Sequence, residues 1–238
     1  MLYIEEIIRK MEQGKTEPYL CRDSIQDMYV VKRLTATFVG CIKEWICARL
    51  AKEFGLPIPP FSLAEIDEYL IEYNTEHRNN LGEGIAFASK FVEDLQEVNY
   101  SLLDEAQIEV LKDLYIFDYW IKNADRTLSE SGGNPNLFYK QSTNEVIVID
   151  HNLAFDSTFK VEDHESIHVS ARFWPGQLGL FDKGDYKNRM SHAISFWDEI
   201  INEIPIEWLE LIPDSDVFFA QLKVVLEKFK NDEFWEVI

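Results

Sequence analysis

The sequence predicts an α+β fold made of one domain with two lobes, strand-rich first and helical later. Short β-forming runs crowd the early part of the chain, and from residue 104 onward apolar residues recur at helical spacing over long stretches. The 10 glycines and 8 prolines are scattered as local turn punctuation and mark no linker between independent domains. At 238 residues the chain is long enough for one large two-lobed core and too short for several.

Residues 1–12 read as an amphipathic helix, because Leu2, Ile4, Ile7, Ile8 and Met11 fall near a 3.6 period and Gly14 follows as a stop. Residues 19–21 and 28–33 read as strands of a hairpin around the turn at 23–27, with Tyr29, Val30 and Val31 as β-formers and Lys32 at the end. A helix over 37–54, ended by Gly55, carries Phe38, Ile42, Trp45, Ile46, Arg49 and Leu50 on one side. On its other side Glu44 lies among Cys41, Cys47, Ala48 and Ala51, small residues that let another element approach and leave Glu44 partly buried. Segments 62–71 and 84–91 supply further strands, the first also compatible with helix, and 75–83 is a polar loop. The next helix, over 104–122, shows a broad apolar face through Ile108, Leu111, Leu114, Tyr115, Phe117, Trp120 and Ile121. Residues 123–135 are polar and irregular, 137–139 and 146–149 form a short hairpin ending at Asp150, 156–184 are irregular, and 185–203 and 216–229 are helical.

Composition narrows the function. A hydrophobic fraction of 46% excludes general disorder, and no apolar run approaches a membrane span. The acidic start at Glu5 and Glu6 lacks the order of a signal peptide, so a soluble, cytoplasmic protein with no membrane association is expected. With 43 acidic against 23 basic side chains the net charge is −20, a field that repels nucleic-acid backbones and would attract a basic protein partner. Cys21, Cys41 and Cys47 fit neither a C-x-x-C motif nor a zinc knuckle and are expected as buried thiols. His151, His164 and His168 have no cysteine nearby and are not read as a zinc site, and Trp174, Trp197 and Trp208 are read as core of the helical lobe.

Phosphoryl transfer needs a cation on the phosphates, a carboxylate at the acceptor hydroxyl, and oxygen ligands for magnesium. The chain offers Lys32 at a strand end, Glu44 on the next helix, Asp125 and Asn136 flanking a loop after a long helix, and Asp150 after an apolar strand. Each has a plainer reading: Asp125 and Asp150 as turn formers, Lys32 as an edge-strand charge, Glu44 as a solvated helix residue.

The stretches Asn123-Ala-Asp-Arg126, Asn134-Pro-Asn-Leu137 and Ile149-Asp-His151 resemble the catalytic loop and metal-binding segment of HipA-like kinases, with a more distant likeness to phosphoinositide kinases. Weaker likenesses are Tyr29-Val-Val-Lys32, Lys43-Glu-Trp45, Gly55-Leu-Pro57, Phe87-Ala-Ser89 and Ile204-Pro-Ile-Glu-Trp208. The resemblance implies a protein-kinase-like fold, with an N-lobe over 1–95, a C-lobe over 96–238 and an ATP cleft between them. It implies Asp125 as catalytic base, Arg126 as positioner of the loop, Asn136 and Asp150 as magnesium ligands, and Lys32, oriented by Glu44, on the ATP phosphates. Phe87 and Ser89 would lie near the adenine. It further implies a serine/threonine kinase acting on a protein, with a toxin–antitoxin or phage-defence role and an antitoxin or regulatory partner.

The chain departs from the family in two places. About four residues usually separate base and asparagine, as in the kinase loop H-R-D-x-x-x-x-N, whereas here 126–135 intervene and Asn134 competes with Asn136. No G-x-G-x-x-G is present, so only Gly14-Lys-Thr16 is available to cover phosphates, with Thr16 as a hydroxyl for autophosphorylation. These departures keep two alternatives open: a kinase-fold regulatory protein without transfer activity, and a kinase of lipid or small-molecule hydroxyls.

Overall fold

A computed structural model describes residues 1–12 and 16–236. In chain order the elements are β1 (Leu2–Lys10), β2 (Tyr19–Asp23), β3 (Met28–Lys32), α1 (Phe38–Phe54), β4 (Phe61–Ile66), α2 (Thr75–Asn80), β5 (Gly84–Lys90) and β6 (Leu95–Glu97). There follow α3 (Ile108–Trp120), β7 (Thr127–Ser129), β8 (Gly132–Asn134), β9 (Leu137–Lys140), β10 (Glu145–Val148), α4 (Val161–Ile167), α5 (Leu180–Ser195), α6 (Trp197–Asn202), α7 (Ile206–Leu209), α8 (Ser215–Glu227) and α9 (Asp232–Glu236). The fold is α+β, strand-rich early and helical later, as expected. The chain forms two compact units, Met1–Trp45 with Pro59–Glu93 and Ile204–Pro213, and Ile46–Ile58 with Asp94–Glu203 and Asp214–Ile238.

The first unit is a closed barrel in the order β1-β2-β3-β5-β4, antiparallel except where β1 pairs parallel with β4. Its inward residues include Ile4, Tyr19, Cys21, Tyr29, Val31, Ala64, Ile66, Ala86 and Ala88, the alternate positions of each strand. The β2–β3 turn closes because Asp23 Oδ1 accepts from the amides of Ile25 (3.0 Å) and Asp27 (2.9 Å). The opposite face of β3 and β5 presents Lys32, Phe87 and Ser89, with Lys32 directly across from Phe87.

The stretch 204–208 returns to this barrel. Glu207 Oε1 accepts from the Ile85 amide (2.7 Å), and Trp208 Nε1 donates to the Ile85 carbonyl (2.8 Å). Arg33 Nε donates to the same carbonyl (3.1 Å), and its Nη2 meets Glu207 (3.3 Å). Gly84 sits at φ +108°, and a Cβ there would stand 2.6 Å from Arg33 Nη2 and 2.9 Å from both Glu207 carboxylate oxygens. A glycine is required at this crossing by conformation and by space.

In the second unit β10, β9 and β6 form a three-stranded sheet and α3 is buried on most sides. Arg189 binds the Asp113 carboxylate through both terminal nitrogens (2.8 and 2.7 Å), donates to the Phe54 carbonyl (3.0 Å) and lies 4.1 Å over the Phe54 ring. Trp197 is buried here, Trp174 is half-buried, and Trp208, expected in the helical lobe, is fully buried in the first unit. The three cysteines form no disulfide and are buried, and burial pushes the thiols of Cys21 and Cys41 up to about 12.

Several local expectations fail for physical reasons. Residues 2–10 are a strand, not a helix: register shifts between Ile4 and Glu6 and between Ile7 and Arg9 break the two-residue alternation, so the apolar positions mimic a helical period. Residues 75–80 are a helix, not a loop, capped by Asn74 Oδ1, which accepts from Glu76 (2.9 Å) and His77 (3.1 Å). No residue of α2 is buried, so it leaves no apolar period. The irregular stretch 123–135 contains the β7–β8 hairpin, and 156–184 contains α4 and the start of α5.

Candidate active site

In the first unit the last residue of β3, Lys32, pairs with Glu44 of α1 at 3.2 Å, and both are buried. The small residues around Glu44 allow this burial, as the sequence suggests. Such a pair is stable only because each charge is met by the other and by further polar contacts. Phe87 is buried and stacks on Phe61 (5.9 Å), while Ser89 is half-buried two residues along the same face. The carbonyl of Thr16 accepts from the Thr35 hydroxyl, and Gly14 lies outside the described residues.

In the second unit the lengthened segment after Asp125 resolves into the β7–β8 hairpin. Thr127 pairs with Asn134, and Gly133 is essential because a Cβ there would lie 2.4 Å from the Thr127 carbonyl oxygen. The excursion therefore returns on itself. Asp125 Oδ2 accepts from Asn134 Nδ2 (2.6 Å) and from Asn136 Nδ2 (3.2 Å), so both candidate asparagines converge on the candidate base. Since Nδ2 is the end of the Asn136 amide turned to Asp125, Oδ1 is its remaining acceptor, a hard oxygen of the kind magnesium takes.

Arg126 joins this loop to the segment around Asp150. Its guanidinium is wholly buried and donates to the carbonyls of Pro135 (3.4 Å), Asn136, Ile149 (2.9 Å) and Asp150 (3.3 Å). The Ile149 amide also donates to the Asn136 carbonyl (3.1 Å). Asn136 and Asp150 both adopt left-handed backbone, at φ +44° and +60°, a conformation that Asn and Asp tolerate better than most residues. One buried cation thus fixes the main chain of both residues implied as metal ligands.

Beneath Arg126 lies a second buried charge. Asp118, on α3, is fully buried and accepts from Arg126 Nε (2.6 Å), His168 Nε2 (2.9 Å) and Asn123 Nδ2 (3.0 Å). Burial alone would raise its carboxyl, but the Arg126 charge and the His168 hydrogen bond outweigh burial and hold it below the usual carboxylate range. The available signal was a single acid inside the apolar run Ile116-Phe-Asp-Tyr-Trp120. His164 and His168 stand four residues apart, a spacing metal sites can use, yet their Nε2 atoms serve the Tyr115 carbonyl (3.1 Å) and Asp118. Burial lowers both imidazoles, His164 to about 3. No cluster of three or more His, Cys, Asp or Glu suited to a metal occurs among the described residues.

The model of one family, the HipA-like kinases, matches residues 4–238. The chain belongs to the HipA-like kinases. As a member it is a phosphotransferase by family. This HipA-like kinase also superposes on the crystal structure of a Helicobacter pylori proinflammatory kinase, CtkA, with a TM-score of 0.53 and 14% sequence identity over 94% of this chain and 91% of that one. At that identity the likeness speaks for the fold. A search of curated proteins finds no match to the chain.

Proposed function

We propose that this HipA-like kinase transfers the γ-phosphoryl group of ATP to a serine or threonine hydroxyl of a protein, with its two units acting as kinase lobes. The observation that carries the reading is the second-unit constellation: Asp125 met by Asn134 and Asn136, and Arg126 holding the Asn136 and Asp150 carbonyls. Asp125 accepts the proton of the acceptor hydroxyl as its oxygen bonds to the γ-phosphorus and the bond to the β-bridging oxygen breaks, releasing ADP. Asn136 and Asp150 would hold magnesium, which when bound supplies charge neutralisation at the phosphates. Lys32, paired with Glu44, would bind phosphate, and Phe87, across from Lys32, would border the base. A protein substrate, a regulatory or antitoxin partner and a cytoplasmic location belong to the same reading. No described helix is long and apolar enough to cross a membrane.

The test is labelled-phosphate transfer from Mg-ATP to the protein itself and to lysate proteins. Asp125→Asn should lower transfer by about 10² to 10⁴, the usual contribution of a positioned base. Equal transfer by wild type and variant would end this assignment. The β7–β8 hairpin between Asp125 and Asn136 favours one competing reading, a regulatory protein that binds nucleotide without turnover. Thermal stabilisation by Mg-ATP with no ADP formed would decide for it.

A further inference from the structure

A chain of contacts runs from the segment after Asp150 to the main chain of Asp125. His168, the residue that follows α4, receives the Ser170 amide on Nδ1 (3.1 Å). A backbone N–H can only donate, so Nδ1 carries the lone pair and the proton of the neutral ring is on Nε2, which donates to Asp118 Oδ2 (2.9 Å). The second oxygen of Asp118 takes Asn123 Nδ2 (3.0 Å), and Asn123 Oδ1 in turn accepts the Asp125 amide (3.3 Å). The same segments are clipped together along the backbone, by a bridge between Thr127 and His168 and by the Val169 amide on the Arg126 carbonyl (3.2 Å).

Resting on the kinase reading above, we propose that Asp118 and His168 are positioning residues for phosphoryl transfer. Asp118 orients Arg126 and Asn123, and through them the Asp125 backbone and the carbonyls of Asn136 and Asp150. His168, as the Nε2–H tautomer, locks the 161–170 segment to that loop. Three features separate this from ordinary core filling. Both Asp118 oxygens are engaged, each ring nitrogen of His168 has a defined role, and every partner lies within the loop or the segment after it. The groups facing His168 are Asp118 and Tyr115 from α3, Arg126 from the loop and His164 from α4. A second proton on the ring would displace the Ser170 amide and set a cation beside Arg126.

The experiment compares His168→Leu with His168→Gln in the full chain. Glutamine can still donate to Asp118 from near the Nε2 position, and leucine cannot. Corrected for the folded fraction by circular dichroism, His168→Leu should lower kcat by about ten- to a hundredfold with KM for Mg-ATP nearly unchanged, as a misplaced catalytic group does. His168→Gln should recover most of the loss. Wild-type kcat in the leucine variant, or equal losses in both, would overturn the proposal. Hydrogen exchange gives a readout independent of activity: in His168→Leu the amides of Asp125 and Val169 should exchange about tenfold faster, as for local opening, with α3 unchanged. Unchanged exchange at both amides overturns the positioning role whatever the activity. Absence of transfer by the wild type overturns the kinase reading alone, and exchange then decides this one.

Discussion

At Arg126 a full charge sits beyond the reach of water, and what stabilises it is geometry. One nitrogen pairs with Asp118 while the fork reaches carbonyls from two separate segments. A lysine keeps the charge but not the planar fork, so it cannot hold the Asp118 oxygen and those carbonyls together. Arg126→Lys is therefore expected to cost about 3 kcal/mol in urea unfolding, on the scale of a broken buried pair, and to abolish transfer. A variant as stable as wild type would show the fork to be dispensable. Asp118 has no local signature for the same reason: nothing along the chain distinguishes an acid in an apolar helix from a solvated one until Arg126, Asn123 and His168 converge on it. Asp125, Asn136 and Asp150 stand out as candidates because their order along the chain matches a known pattern, and Asn134 lies closer to Asp125 (2.6 Å) than Asn136 does (3.2 Å).

Elements were legible where an apolar or β-forming run is long and uninterrupted. The β2–β3 hairpin, α1, α3 and the β9–β10 hairpin fall close to expectation, because their apolar residues run without a break in register or a buried polar interruption of the pattern long enough to hide it. β1 misleads because its register shifts displace the alternation, and α2 and α4 because they are short and bury almost nothing. The hairpin of β7 and β8 takes up the extra residues by closing on itself, leaving Asp125 Oδ2 and Asn136 Nδ2 3.2 Å apart. Long-range contacts also set requirements that a single element does not display. Gly84 opens β5, yet the atoms that exclude a side chain belong to Arg33 and Glu207. Gly84→Ala combines positive-φ strain with a forced shift of the Arg33–Glu207–Ile85 contacts, and should destabilise by about 2 kcal/mol or more in urea unfolding. A cost below about 0.5 kcal/mol, the size of an ordinary surface change, would contradict this account.

Over the whole molecule, buried neutral imidazoles link stability to pH. His164 has a folded pKa of about 3 against an ordinary 6.5, so the unfolded chain takes up a proton that the folded one refuses. Its contribution is fully present above about pH 6.5 and is lost progressively as pH falls toward 3. From pH 7 to pH 5 this amounts to about 2 kcal/mol for the one group. His168, lowered by burial, acts with the same sign, and so does Asp118 at more acidic pH. Urea unfolding at several pH values should show this slope, and His164→Asn should flatten it; an identical slope in the variant would remove His164 as the cause.

The sequence by itself determined the α+β class, the barrel hairpin and the principal helices, since these depend on periodicity and on residues close along the chain, and it marked Lys32, Glu44, Asp125, Asn136 and Asp150 as an ordered set of candidates. Tertiary structure alone decided that residues 2–10 are a strand, that Glu207 and Trp208 dock on the barrel at Ile85, and that Asp118 and His168 meet beside Asn123 and Arg126. Each of these depends on partners many residues away, whose hydrogen bonds and burial outweigh local preference, and no short stretch of sequence records them.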